Sequence, residues 1–187
     1  AIRHAGGDEA VASGASVSVA SGISPSVPIH LGNLREFLTV HFVADELRRR
    51  GLPVRHLHVW DDYDRFRKVP AGVDPSWADH IGRPLSAVPD PWDRHASWAE
   101  HFKAPLRDAL HELGVDMEEV SQTERYGAGV YREEILRSVR HRDDIEAVLA
   151  RHRTKQVDVD DASSVDDLAR FPFKAYCRQC GRDTTTP

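Results

Sequence analysis

His30, Gly32 and Asn33 stand within four residues of one another, in the stretch Pro28-Ile29-His30-Leu31-Gly32-Asn33, just ahead of a run with helical periodicity. A helix start offers unpaired N–H groups and the positive end of a dipole, a natural seat for phosphate. Gly32 lets the backbone approach a ligand closely. His30 can donate to phosphate oxygens where charge builds up during an in-line displacement, while Asn33 can combine capping with a polar contact. The plainer alternative is a hydrogen-bonded histidine beside a capped helix, since four-residue motifs recur by chance.

A second group is acidic. Asp61, Asp62 and Asp64 cluster beside Arg65, Arg67 and Lys68. Carboxylates at the end of a strand suit a ligand carrying ammonium groups. Neighbours in an extended segment point opposite ways, so Asp61 and Asp62 remain alternatives, with Asp64 behind them. Loop caps and surface ion pairs with Arg65 or Arg67 are the competing account. The third group is Cys177 and Cys180, the two cysteines of the chain, spaced CxxC and followed by Gly181. That spacing suggests metal binding or redox work rather than a structural disulfide. Zinc wants four ligands in a tetrahedron, so the pair is half a site.

Placing these groups requires a scaffold. Ser16–Ala20 alternates small polar and apolar residues as a strand does, and the polar segment 21–28 breaks it. From Asn33, Leu34, Phe37, Leu38, Val40, Phe42, Val43 and Leu47 recur on one broad helical face. Asn33 is the expected N-cap, with Glu36 completing a capping box, and Gly51 and Pro53 stop the helix after three arginines. Val54–Trp60 alternates again. Strand, helix and strand at this spacing form a βαβ unit with parallel strands. Residues 63–97 carry five prolines and read as a long irregular loop, which in a compact domain is usually functional. Ser97–Gly114 reads as a helix with Trp98, Phe102, Leu106, Leu110 and Leu113 as its seam, Val115–Val120 as a short third strand. Two helices, 129–140 and 143–153, are expected beyond it. Their arginines are interleaved with acidic residues, the pattern of solvated, ion-paired helices rather than a nucleic-acid surface. The expected divisions are a lead-in over 1–15, an α/β half-domain over 16–125, a helical extension over 126–155, an acidic linker over 156–170 and a partial zinc-knuckle segment over 171–187.

Composition narrows the class of protein. The chain has 187 residues, 40% of them hydrophobic and 29% charged, as a globular protein does. No apolar run is long enough to span a bilayer, and no basic segment followed by an apolar core opens the chain, so a cytoplasmic protein is expected. A net charge of -5 argues against a strong non-specific nucleic-acid binder while leaving room for a local basic patch.

Five stretches, taken in order, resemble one family. Ala20–Asn33 (ASGISPSVPIHLGN) is similar to the HIGH-type signature of class I synthetases in the form found in class I lysyl-tRNA synthetases. Trp60–Pro70 (WDDYDRFRKVP), Gly82–Pro91 (GRPLSAVPDP), Ser97–Leu113 (SWAEHFKAPLRDALHEL) and Cys177–Thr186 (CRQCGRDTTT) match the same family in the same order. The resemblance implies a Rossmann-type catalytic domain that condenses lysine with ATP, used with Mg2+, and then esterifies tRNA. It implies catalytic roles for His30 and Asn33, ATP contacts at Pro28, His30, Gly32 and Asn33, and amino-acid contacts at Ser21, Gly22, Asp61 and Asp62. Ser21 and Gly22 also satisfy the independent rule that α/β sheets bind ligands beyond their strand ends. A second cysteine pair would complete the zinc site begun by Cys177 and Cys180. Val27 stands where the family usually has glycine, and a β-branched residue disfavours positive φ and adds bulk there. The family's second half-domain, with its KMSKS-type lysine loop, and its anticodon-binding domain are not in these 187 residues. The expectation is therefore the first half of a lysine–tRNA ligase catalytic domain. The alternative is a synthetase-like paralogue that binds ATP or an adenylate without charging tRNA, or that activates a different amino acid.

Overall fold

A computed structural model describes residues 13–152 and 173–183. Most of the expected lead-in, the whole acidic linker and the ends of the cysteine segment lie outside the described residues. Three strands form one parallel sheet in the order β1 (Val17–Ile23), β2 (Val54–Trp60), β3 (Glu118–Ser121). The register pairs Val17 with Val54 and Ile23 with Trp60, then Leu57 with Glu118 and Trp60 with Ser121. The first strand runs three residues further than the alternation of Ser16–Ala20 indicates, because Ser21, Gly22 and Ile23 keep pairing with His58, Val59 and Trp60.

The connecting helices are α1 (Leu31–Arg49) and α2 (Trp98–Glu112). Both end the same way. Gly51 (φ 81) and Gly114 (φ 68) take the left-handed conformation. Gly51 N–H then donates to the Arg48 carbonyl and Leu52 N–H to that of Leu47; Gly114 and Val115 bond His111 and Leu110 in the same pattern. This is a Schellman stop, and it turns the chain directly into β2 and towards β3. At the front, α2 begins where Ser97 caps the N–H of Glu100.

The helix α1 departs from expectation in two ways. Its N-cap is His30, one turn ahead of Asn33, and Asn33 occupies the third helical position of the capping box. Its buried line is Phe37, Ala44 and Leu47, while Phe42 and Val43 are exposed. At 100° per residue, positions 42 and 43 rotate away from the line through 37 and 44, so a broad apolar run overstates the packed face.

Two clusters make the core of this unit. Phe37, Trp60, Leu106, Leu110 and Val115 fill the space between α1, α2 and the sheet. Phe66, Leu85, Val88, Trp98, Ala99 and Phe102 form the second. That second cluster corrects the reading of 63–97 as irregular. Short 3-10 turns at Pro75–His80 and Leu85–Ala87 and an antiparallel bridge between Arg65 and Pro84 fold the segment onto the front of α2.

The chain divides into two compact units between Glu124 and Arg125. A helix absent from the sequence reading, α3 (Gln122–Gly127), crosses that point. The second unit holds α4 (Arg132–Arg140), α5 (Arg142–His152) and a cysteine turn closed by a bridge between Tyr176 and Asp183.

Candidate functional site

The carboxyl ends of β1 and β2 meet at one edge of the sheet, where Asp61 N–H donates to the Ile23 carbonyl at 2.9 Å. Ligands of open α/β sheets bind beyond such an edge. Two loops rise from it: residues 24–30, leading to α1, and the turn 61–64. The first is braced from beneath. Pro25 is fully buried, and the Trp98 indole N–H donates to the Ser26 carbonyl at 3.0 Å.

At the start of α1 the side chains of His30 and Asn33 face the helix end. His30 Nδ1 accepts the N–H of Gly32 at 3.1 Å, and Asn33 Oδ1 accepts the N–H of His30 at 3.2 Å. An imidazole nitrogen that accepts cannot carry the proton, so His30 is the neutral tautomer with its proton on Nε2. That N–H is free to donate outward. Gly32 makes the arrangement possible: a Cβ there would meet His30 Cε1 at 2.9 Å and Nδ1 at 3.0 Å. No acidic residue sits in the first turn of α1, so nothing opposes an anion at this dipole end. Pro28 is exposed on the same loop. Val27 is half exposed and does not have positive φ, so the substitution places no backbone strain in the loop.

The acidic group separates into unlike members. Asp62 is buried, and both carboxylate oxygens are engaged. Oδ2 accepts from Lys103 Nζ and Ser121 Oγ, each at 2.6 Å, and Oδ1 accepts the Thr123 N–H at 2.8 Å. Burial pushes its pKa up, but the Lys103, Ser121 and Thr123 donors outweigh it and hold the carboxyl below its ordinary value. Three donors from the fold thus meet the Asp62 carboxylate, which sets it apart from Asp61. Asp61 is half-buried and has no hydrogen-bond or ion-pair partner for its carboxylate among the described residues. Burial, then the charges of Asp64 and Asp62, raise its pKa. Asp64 is exposed.

Ser21 stands near the carboxyl end of β1. Its hydroxyl lies 2.8 Å from His58 Nδ1, both residues are buried, and so the side chain faces the core rather than the sheet edge. His58 packs against Phe37 and Trp60, each at 4.4 Å between ring centroids. Burial, then the charges of His56 and Lys103, drive its pKa down to about 3, so the ring is neutral. Gly22 alternates to the exposed face of β1.

Sequence reasoning missed Lys103, His58 and Ser121. Signals existed for the first two. Lys103 breaks the apolar seam of α2 between Ala99, Phe102 and Leu106, and His58 alternates with His56 and Trp60 on the buried side of β2.

In the second unit, Gly181 N–H donates to the Cys177 carbonyl and Cys177 N–H to that of Arg182, which makes a tight cysteine turn. The N–H groups of Cys180 and Gln179, and the Cys180 thiol, hold the Cys177 thiol below its ordinary pKa. Among the described residues no group of three or more histidine, cysteine or acidic side chains is placed to hold a metal. Two sulfurs do not make a tetrahedral zinc site, and zinc is not supported here.

Comparison with known proteins adds to this geometry. Residues 4–187 match the family described as tRNA synthetases class I (K). The chain belongs to the class I tRNA synthetases of the lysine type. It is 51% identical over 196 residues to a lysine–tRNA ligase of Streptomyces coelicolor, covering 91% of this chain and 34% of that protein. The lysine–tRNA ligase of Thermococcus kodakarensis is 42% identical, over 88% of this chain and 30% of the relative. That of Treponema pallidum is 37% identical, over 89% and 31%. The chain thus spans about a third of the length of the curated relatives it matches. The His30–Asn33 segment opens α1 just beyond the carboxyl end of β1. No helix among the described residues is long and apolar enough to cross a membrane.

Proposed function

We propose that this chain carries the ATP- and lysine-binding half of a cytoplasmic lysine–tRNA ligase. The observation that carries the reading is the pairing, at one sheet edge, of an outward N–H on His30 with an unengaged carboxylate on Asp61. In the reaction, a carboxylate oxygen of lysine attacks the α-phosphorus of ATP, the bond to the bridging oxygen breaks, and pyrophosphate leaves. The 3′-terminal ribose hydroxyl of tRNA then attacks the adenylate carbonyl, and AMP departs. Mg2+ accompanying ATP supplies counter-charge to the phosphates.

His30 Nε2–H and the Asn33 amide are the donors for phosphate oxygens as charge moves onto them. Gly32 keeps the helix end accessible, and Pro28 lines its approach. Asp61 receives an ammonium of lysine. Gly22 borders the pocket with its backbone, and Ser21 supports it from within through His58. The names of the relatives agree on lysine, which gives the alternative amino acid no support.

The test is ligand-induced stabilisation of the 187-residue chain. ATP at about 100 times its dissociation constant should add about 2.7 kcal/mol to stability. A non-hydrolysable lysyl-adenylate analogue should raise the melting temperature further, and H30A should diminish both shifts. A melting temperature indifferent to ATP and to the analogue would sink the reading.

A further inference from the structure

The ion pair between Lys103 and Asp62 is buried at both ends, with side chains 4% and 2% exposed and 2.6 Å between them. Such a pair is a poor source of stability, since desolvation of two charges offsets most of their attraction. Its presence in a small unit asks for another reason.

The contacts of Asp62 supply one. Besides Lys103 of α2, its carboxylate holds Ser121 at the end of β3 and the N–H of Thr123 at the start of α3. Its carbonyl accepts the N–H of Ser86, whose hydroxyl in turn accepts from Thr123 Oγ1 at 2.7 Å. Leu85 N–H bonds the carbonyl of Asp64. All of these ties except the bond between Thr123 and Ser86 end on the turn 61–64. Lys103 is itself fixed by Glu100 at 3.0 Å, and Glu100 by Arg107 at 2.7 Å. Two carboxylates of this turn lack a partner among the described residues: that of Asp64, which is exposed, and that of Asp61, which is half-buried at the sheet edge and whose own N–H is anchored to β1.

We propose that Lys103 and Asp62 are positioning residues that hold the Asp61 carboxylate rigid and unpaired, as the receptor for the ammonium of a cationic amino acid. The inference rests on the proposed role of Asp61. A receptor held in place before the ligand arrives gives up less conformational freedom on binding, and a carboxylate without an internal cation leaves its charge to the substrate.

The experiment compares L-lysine with L-norleucine, which has the same four side-chain carbons without the ε-ammonium, by NMR titration of the whole 187-residue chain. The decisive variant is the double change K103M/D62L, which replaces the ion pair by apolar side chains. It should remain folded and lose at least tenfold in lysine affinity. The preference over norleucine should collapse, while the rise in melting temperature given by ATP is kept. The milder S121A removes one tie from Asp62 and should weaken lysine about threefold, again without changing the response to ATP.

A purely structural pair makes a different forecast: any folded variant binds lysine as the parent chain does. Unchanged lysine affinity in folded K103M/D62L, or in S121A should the double variant not fold, overturns the positioning role. D61N separates the two levels. Loss of lysine in D61N alone leaves the Asp61 reading standing and removes this inference. Unchanged lysine binding in D61N, or none by the parent chain, removes both.

Discussion

At the scale of single residues, the site turns on which nitrogen or oxygen is already engaged. The His30-Leu31-Gly32-Asn33 spacing announces a donor set at a helix end, but not that His30 takes the cap and Asn33 returns the bond. That choice depends on the room above Gly32, which is three-dimensional. Asp61 and Asp62 are equivalent as letters; at the end of β2 one is half-buried without a partner among the described residues and the other is a buried tie. His58 yields a residue-scale prediction. Its pKa is held at about 3, whereas a histidine in an unfolded chain titrates near ~6.5. Between those values the unfolded chain binds the extra proton. The stability from His58 is therefore complete above ~6.5 and is lost as pH falls toward 3, by up to about 1.4 kcal/mol per pH unit. H58Q, which does not titrate, should flatten this acid limb. Urea midpoints measured between pH 7 and 4 check it; an equally steep limb in H58Q would place the acid sensitivity elsewhere.

At the scale of elements, alternation and stop signals were good guides. Val54–Trp60 is a strand with those bounds, and the helix expected from Ser97 begins at Trp98 with Ser97 as its cap. The failures have physical causes. The segment 63–97 looked structureless because its apolar residues follow neither helical nor strand period, yet Phe66, Leu85 and Val88 converge through turns onto Trp98. The six-residue α3 is too short to leave a periodic trace. Proline signals were also incomplete, since Pro105 lies inside α2 on an exposed position. It removes the N–H that would bond the His101 carbonyl, an expensive arrangement for an interior helical site. P105A should raise stability by about 1–2 kcal/mol, the helical gain being reduced by greater freedom in the unfolded chain. Thermal unfolding of the two chains checks this, and a lower melting temperature in P105A would mean that the bend itself is required for packing.

At the scale of the whole first unit, buried charge and buried apolar surface divide the work. The two apolar clusters flank the chain of Asp62, Lys103, Glu100, Arg107 and Glu119, which the Trp60 indole N–H also joins through Glu119. Sequence exposes the hydrophobic half of this plan through its periodicity, but ion pairs between residues far apart in the chain leave no local pattern. K103M alone should destabilise the fold by about 3–5 kcal/mol, because Asp62 stays buried without its counter-charge. K103M/D62L should recover most of that loss in urea denaturation. A mild effect of K103M would mean that water reaches Asp62. Both crossover helices pack with the side of the sheet that carries His58 and Trp60, while Ser18, Ala20 and Gly22 of β1 are exposed on the opposite side. To an engineer that strip of small side chains is a mounting surface: larger apolar residues could be introduced there, and a new layer built on them, without disturbing the packed side that carries His58 and Trp60.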